Sequence, residues 1–147
     1  IVESDSMPII LGSNSPRRKE ILNFFSLPFR QEDPQFDESL VPFHKDPAQF
    51  AMQVARCKAK ALSERFPNEP ILTADTIVYR KGRLYLKPET TEQAHEMLRE
   101  LAGNDHEVFT GVCVAQQQKY FSVGMGWPAS AVVLMFLKTV ALKGSLD

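Results

Sequence analysis

A short polar stretch near the beginning of the chain combines small residues, a proline and two adjacent arginines. Residues 13–18 read SNSPRR and follow an apolar run. A strand, a small-residue turn and a helix form a general anion-binding layout, because the free N–H groups of the first helical turn and the positive end of the helix dipole point into the turn. Ser13 and Ser15 add hydroxyl donors, and Arg17 and Arg18 add charge that a phosphate would balance. The stretch is not a Walker A loop, and the residues alone leave open a capped helix whose basic first turn faces water.

Three acidic residues are candidates for a metal site. Asp37 and Glu38 lie in a predicted loop, and Asp75 directly follows an apolar run that predicts a strand. Ligands of open α/β sheets usually bind at the carboxyl ends of strands, and Mg²⁺ prefers a few carboxylates together with waters and substrate phosphates. The pattern therefore predicts a magnesium site at the end of this strand, although an aspartate in that position can equally cap a turn.

Two lysines could bring positive charge to the same ligand. Lys58 falls on the apolar face of a predicted helix, four residues from both Val54 and Leu62. Its ammonium group therefore either reaches water at the edge of the core or points into a site. Lys87 precedes Pro88 after a predicted hairpin and can equally be a surface cation. With the two arginines, these lysines would supply the charge that a triphosphate requires.

Helices and strands must position these side chains, and the apolar pattern predicts where they lie. Strands are expected at residues 8–11, 29–31, 70–74 and 106–115, a hairpin at residues 76–86 with its turn at Lys81 and Gly82, and helices at residues 16–25, 47–62 and 87–103. The apolar faces of the three helices are Ile21, Leu22 and Phe25; Phe50, Val54, Ala61 and Leu62; and Ala94, Met97, Leu98 and Leu101. Strands interleaved with helices indicate an α/β fold.

The composition is that of an ordinary globular protein. The 147 residues carry a net charge of -1, which gives no bulk attraction to a nucleic acid polymer or a membrane. The chain shows no secretory signal and no membrane-spanning run, and Cys57 and Cys113 lack metal-type spacing, so a reduced, cytoplasmic setting is expected. We interpret the three histidines, His44, His95 and His106, as structural or surface residues.

Six stretches of the sequence, taken in order, resemble the Maf family of nucleoside triphosphate pyrophosphatases. They are SNSPRR at 13–18, FDES at 36–39, ARCKAKA at 55–61, TADTIV at 73–78, LKP at 86–88 and GNDHEVFTGV at 103–112. Each stretch alone is unspecific, but six in the same order form a specific signal, which covers residues 8–115. The resemblance implies a single Maf-like domain over residues 1–147, with a mixed twisted α/β sheet flanked by helices in a Maf/ITPase-like, two-lobed arrangement around a cleft.

The resemblance also implies an activity. Similar proteins hydrolyse a nucleoside triphosphate between its α and β phosphates, releasing a monophosphate and pyrophosphate. They look like enzymes that remove non-canonical nucleotides, and bacterial members are linked to septum formation. The sequence ADT at residues 74–76 is similar to members that prefer dTTP and UTP. We therefore expect a pyrimidine nucleotide or a modified one as the substrate, with a homodimer left open.

Residue by residue, the resemblance assigns a role to each matching position. The substrate-binding residues would be Ser13, Ser15, Arg17, Arg18 and Thr76. The ligands of Mg²⁺ or Mn²⁺ would be Glu38 and Asp75. The catalytic residues would be Asp75, which would orient or deprotonate the attacking water, and Lys58 and Lys87, which would neutralise charge developing on the phosphates.

The last part of the chain departs from the family. Residues 116–147 lack the stretches expected there, so we expect an atypical tail and a fold truncated at its C-terminus. Two alternatives follow: a nucleotide-binding or regulatory module with impaired catalysis, and an α/β domain that acts through protein contacts, with an apolar helix at residues 131–142 packed on the sheet or driving association.

Overall fold

A computed structural model describes residues 7–86 and 88–128 of the chain. The strands in this part are β1 (Ile9–Gly12), β2 (Phe29–Gln31), β3 (Ile71–Arg80), β4 (Arg83–Tyr85), β5 (Glu107–Gln116) and β6 (Lys119–Pro128). The α-helices are α1 (Pro16–Phe24), α2 (Pro47–Arg65) and α3 (Thr91–Leu101), and a single 3₁₀ turn spans Glu38–Leu40. The predicted α/β fold is confirmed.

The six strands form one mixed sheet in the order β2-β1-β3-β5-β6, with β4 paired to β3. β1 is parallel to both β2 and β3, whereas the pairs β3–β5, β5–β6 and β3–β4 are antiparallel. β5 pairs with β3 along one edge from Ile71 to Tyr79. On the other edge, β1 pairs with β3 only as far as Thr73, and β4 begins its pairing at Val78. Residues 74–77 of β3 therefore face a gap between β1 and β4, which we call the edge gap.

The helices begin where local chemistry favours a start. The side chain of Ser15 caps α1 by accepting from the N–H of Arg18, and Asp46 caps α2 by accepting from the N–H groups of Ala48 and Gln49. Both helices have proline at the first position, where a missing N–H leaves no bond unmade. These caps confirm the predicted starts of both helices.

The long helix α2 covers one face of the sheet. Its buried residues Ala55, Ala59 and Leu62 pack with Ile10, Ile71 and Cys113 of the strands. Gly111 of β5 makes this approach possible, because a Cβ at that position would overlap backbone atoms of Ala51 and Met52. The sheet and α2 are thus in backbone contact beside the residues that face the edge gap.

The buried stripe predicted for α1 is largely wrong. Leu22 is buried, but Ile21 is 50% and Phe25 64% exposed. Residues four apart share a helix face, so Ile21 and Phe25 lie on the face of Arg17, whereas Leu22 lies on the face of Arg18. The structure turns the Arg18 face towards the sheet, and the two apolar side chains follow Arg17 to the surface.

Two further expectations about strands need correction. Asp75 does not end a strand: β3 continues to Arg80, because Thr76, Ile77 and Val78 pair with β5. The sequence also missed β6, which joins β5 in a hairpin whose turn places Gln117 and Gln118 at φ 51° and 64°. Positive φ favours glycine or asparagine, so two glutamines gave no signal of this turn.

The helices in the described ranges include none long and apolar enough to cross a bilayer. The apolar stretch at residues 131–142, a helix in one of the two alternatives above, lies outside the described residues, and so does most of the tail from residue 116, which is expected to be atypical.

Candidate functional site

Three hydrogen bonds accepted by Ser13 hold the turn after β1. The buried Ser13 hydroxyl oxygen accepts from the N–H of Ser15 at 3.1 Å and from Arg18 Nη1 at 3.0 Å. The Ser13 carbonyl accepts from Gln31 Nε2 of β2 at 2.6 Å. With both lone pairs of the hydroxyl in use, its proton is left to be donated. The turn is therefore rigid before any ligand binds, and its free capacity is that of a donor.

The guanidinium of Arg18 lies in the edge gap. Its Nη1 donates to the carbonyl of Ala74 at 3.1 Å, and its Nη2 donates to Thr76 Oγ1 at 3.2 Å. Partial burial lowers the pKa of Arg18, while the negative charges of Asp75 and Glu38 raise it. The arginine joins the first turn of α1 to the middle of β3.

Arg17, the next residue along α1, is exposed. Adjacent helical residues point about 100° apart, so only one of two neighbouring arginines can face the sheet. Within residues 7–86 and 88–128, the Arg17 side chain has no hydrogen bond or ion pair. It is therefore an exposed cation in the first turn of α1, on the face that points away from the sheet.

Lys58 of α2 reaches the same carbonyl. The residue is buried, its Nζ donates to the carbonyl of Ala74 at 2.9 Å, and the same atom lies 3.6 Å from Glu38 Oε1. Of the two possibilities left open by the sequence, the structure shows the ammonium group directed into the edge gap. One backbone oxygen thus brings together a guanidinium and an ammonium group.

Asp75 is half-buried beside these cations. Its pKa is raised from 3.8 to about 6: burial raises it most, Lys58 lowers it, the negative charge of Glu38 raises it, and Arg18 and the N–H of Thr76 lower it. A buried carboxyl group beside a like charge resists ionisation, and nearby cations only partly offset this. The carboxyl group therefore titrates close to neutral pH.

The loop before α2 supplies the second carboxylate. Asp37 caps the 3₁₀ turn, with its Oδ1 accepting from the N–H and hydroxyl of Ser39 at 3.0 and 2.6 Å, and these bonds lower its pKa. Glu38 follows, with half of its side chain exposed, and approaches Lys58. Asp37 thus shapes the loop, and Glu38 is the member of the pair that faces the site.

The two carboxylates of the site could hold a divalent cation. Among the residues that the structure describes, no three or more His, Cys, Asp or Glu side chains group around a common point. The structure instead places two carboxylates, Glu38 and Asp75, close enough for one to raise the pKa of the other. This set does not suit a closed metal cage, but it fits Mg²⁺, which commonly takes one or two carboxylates and completes its shell with waters and phosphates.

Most of the residues predicted from the sequence meet at the edge gap. They are Ser13, Arg18, Glu38, Lys58, Asp75 and Thr76. Ser15 caps α1 and Arg17 faces outward, while Lys87 lies outside the described residues. Of the remaining candidates, His44 and His95 are exposed and His106 is buried with Nδ1 3.0 Å from the carbonyl of Asn104, while both cysteines are free.

Sequence reasoning missed three groups that hold the site together. The carbonyl of Ala74 leaves no trace in the sequence, because every residue has one. Gln31 lies on a short strand and carried no motif. Thr110 Oγ1 lies 3.1 Å from Thr76 Oγ1; it belongs to one of the six family-like stretches, which was the available signal.

The chain is similar to known proteins over about three quarters of its length. A family model described as Maf-like protein matches residues 8–135. Three curated relatives are named dTTP/UTP pyrophosphatase. The protein of Chlamydia caviae is 44% identical over 112 residues, 76% of this chain and 57% of the relative. That of Chlamydia trachomatis serovar D is 41% identical over 78% of this chain and 59% of the relative. That of Thermomicrobium roseum is 41% identical over 77% and 52%, respectively.

The chain therefore spans a little over half the length of these relatives. Among solved structures, the Staphylococcus aureus Ham1 protein gives a TM-score of 0.48 at 12% identity, over 84% of this chain and 72% of that one, which is too weak a similarity for comparing sites. The match of the family model to most of the chain is sufficient by itself: the chain belongs to the Maf-like protein family.

Proposed function

We propose that the protein is a nucleoside triphosphate pyrophosphatase that hydrolyses the bond between the α and β phosphates. The observation that carries the proposal is the meeting of Arg18, Lys58, Glu38 and Asp75 around the carbonyl of Ala74 in the edge gap. Two cations and two carboxylates in one partly buried place are what a metal-bound polyphosphate requires. The relatives named dTTP/UTP pyrophosphatase support this class of reaction.

The phosphates would be held by the turn after β1 and the start of α1. The Ser13 hydroxyl has a proton to donate. Because Pro16 has no N–H and the N–H of Arg18 is bonded to Ser15, the first turn of α1 would offer the N–H of Arg17, and the exposed Arg17 side chain would add charge. Donors fixed before the ligand arrives stabilise developing charge without reorganising. Arg18 adds its charge from within the edge gap.

The two carboxylates would hold Mg²⁺ or Mn²⁺, which when bound neutralises phosphate charge and polarises the phosphoryl group. Asp75 would also accept a proton from the attacking water. In the free chain the pKa of this carboxyl group is raised to about 6, chiefly by burial, which makes it more basic than an exposed aspartate. The water oxygen would bond to one of the two phosphorus atoms that share the α–β bridging oxygen. The bond from that phosphorus to the bridging oxygen would break, and the other phosphate group would leave with the electron pair while the water proton passes to Asp75.

Lys58 would balance the charge that develops as this bond breaks. Its ammonium group is held by a backbone carbonyl and lies near Glu38, so it is fixed in place. Lys87 is proposed for the same role from the family resemblance alone. A preference for dTTP, UTP or modified pyrimidine nucleotides is proposed from ADT at residues 74–76 and from the names of the relatives.

The test is product release by the purified chain. With MgCl₂ and each of dTTP, UTP, dCTP, ATP and GTP, we expect pyrophosphate and the matching monophosphate in equal amounts, chiefly from dTTP and UTP. Asp75→Asn should abolish turnover with an unchanged circular dichroism spectrum, whereas Asp105→Asn, the same change at an exposed position, should not.

Two results would overturn the proposal. A well-folded chain that releases no pyrophosphate from any of these nucleotides is not a pyrophosphatase; if it still binds them, it is the nucleotide-binding or regulatory module considered above. Full turnover by Asp75→Asn would remove the assigned base. A homodimer, a cytoplasmic location and a link to septum formation stay predictions.

A further inference from the structure

A chain of hydrogen bonds runs from the Arg18 guanidinium into the sheet. Arg18 Nη2 donates to Thr76 Oγ1 at 3.2 Å, and this oxygen lies 3.1 Å from Thr110 Oγ1. A guanidinium can only donate, so Thr76 must use a lone pair for Arg18. Its own hydroxyl proton is then free to be donated to Thr110.

The two threonines are fixed relative to each other by the sheet. Thr76 of β3 and Thr110 of β5 are direct partners in the antiparallel ladder, and both are half-buried. Threonine is stiff at χ1 because its Cβ is branched. The bond to Thr110 therefore selects the rotamer that presents the Thr76 oxygen to the edge gap.

This rotamer matters because of how the guanidinium is held. Arg18 Nη1 has two acceptors, Ser13 Oγ and the carbonyl of Ala74, which fix one corner of the planar group. Within the described part of the chain, Thr76 Oγ1 is the acceptor for Nη2. Two held corners resist rotation of the planar group more strongly than one, so loss of the bond to Thr76 should let the guanidinium turn more readily.

We infer that Thr110 is a positioning residue for Arg18 and acts through Thr76 to fix the orientation of the guanidinium. The inference deepens the proposed function, on which it rests, because Arg18 is there assigned to the phosphates. Thr110 itself lies one strand further into the sheet and is not assigned to the substrate. The simpler role to be distinguished is that of a cross-strand pair that only stabilises the sheet.

The first measurement requires no turnover. In ¹⁵N NMR spectra of the free, full-length chain, we expect the Nη groups of Arg18 to give separate, slowly rotating signals, with exposed Arg17 as the averaged reference. Thr110→Val and Thr110→Ala, which remove the hydroxyl with and without keeping the branched bulk, should average the Arg18 signals. Thr110→Ser should preserve them.

The second measurement is kinetic. Loss of the hydroxyl should lower kcat/KM by about five- to tenfold, the effect of one neutral hydrogen bond, and Thr110→Ser should restore it to within about twofold. In an Arg18→Lys background, whose single nitrogen lacks the fork, Thr110→Val should cause no further loss, because residues acting through one another are non-additive. Thr73→Val removes another β3 hydroxyl, bonded to the carbonyl of Ala55, and should lower stability while leaving the Arg18 signals separate.

Separate Arg18 signals in both Thr110→Val and Thr110→Ala would overturn the inference. So would losses from Thr110→Val and Arg18→Lys that multiply, because the two residues would then act independently. A wild-type chain without turnover would contradict the proposed function, and the NMR measurement would still decide whether Thr110 orients Arg18.

Discussion

Replacing Asp75 with asparagine removes a carboxyl group whose ionisation the folded protein opposes. Its pKa is raised from 3.8 to about 6, chiefly by burial. Because this pKa is higher in the folded chain than in the unfolded chain, the folded state binds the proton more tightly between the two values. The stability that the proton confers is complete below the unfolded pKa and is lost as the pH rises through 6.

The size of the effect follows from the shift. One pKa unit corresponds to about 1.4 kcal/mol, so the full shift corresponds to about 3 kcal/mol in the free energy of unfolding. Of this, about 2 kcal/mol should be gained when the pH is lowered from about 7.5 to about 4.5, because the folded chain takes up the proton in that range. Both figures are upper limits, because water reaches part of the half-buried side chain.

The assay is urea unfolding followed by circular dichroism at both pH values, without metal or nucleotide. On going to the lower pH, the wild-type chain should gain up to about 2 kcal/mol relative to Asp75→Asn. Asp105→Asn controls for the loss of an exposed carboxyl group and should track the wild type. A wild-type chain that instead loses stability relative to Asp75→Asn would show that the neighbouring cations outweigh burial, and the reasoning would be refuted.

Three further outcomes are expected. Lys58→Met should lower kcat by about 100-fold or more, as for loss of a charged group at a transition state, whereas Lys60→Met, two positions along α2 and exposed, should not; equal activities would exclude a role for the buried ammonium group. By calorimetry, Mg²⁺ should bind about tenfold more weakly at pH 5 than at pH 8, because a proton competes for the raised-pKa carboxylate of the site; a pH-independent affinity would place the metal elsewhere. Gly111→Ala should lower the free energy of unfolding by about 1–3 kcal/mol through overlap with the α2 backbone, and an unchanged urea midpoint would contradict that packing.

The starts of α1 and α2 could be predicted because their causes are local, whereas α3 begins at Thr91, four residues later than predicted, after its cap Thr90. Ser15 and Asp46 cap through atoms within three residues, and a proline follows each of them. The hairpin of β3 and β4 was equally local, since Gly82 takes a φ of 82° at its turn. The β5–β6 hairpin could not be predicted, because its turn residues, Gln117 and Gln118, have a positive φ that glutamine rarely adopts.

The site was predictable in its members but not in its layout. The sequence indicates Asp75 because it follows an apolar run, which predicts a strand that ends there. The strand that ends is instead β1, whose last pair joins Gly12 to Thr73. The sequence also does not predict which of Arg17 and Arg18 faces the sheet, because this depends on how α1 packs on the sheet.

The edge gap has a consequence for how the protein avoids association. An uncovered strand edge is a template on which another chain can pair and aggregate. The carbonyl of Ala74, which an intruding strand would need as an acceptor, is already bonded to Arg18 and Lys58. Arg18 and Lys58 therefore also prevent another strand from pairing at this edge. Variants that lose them are expected to aggregate more readily as well as to lose activity.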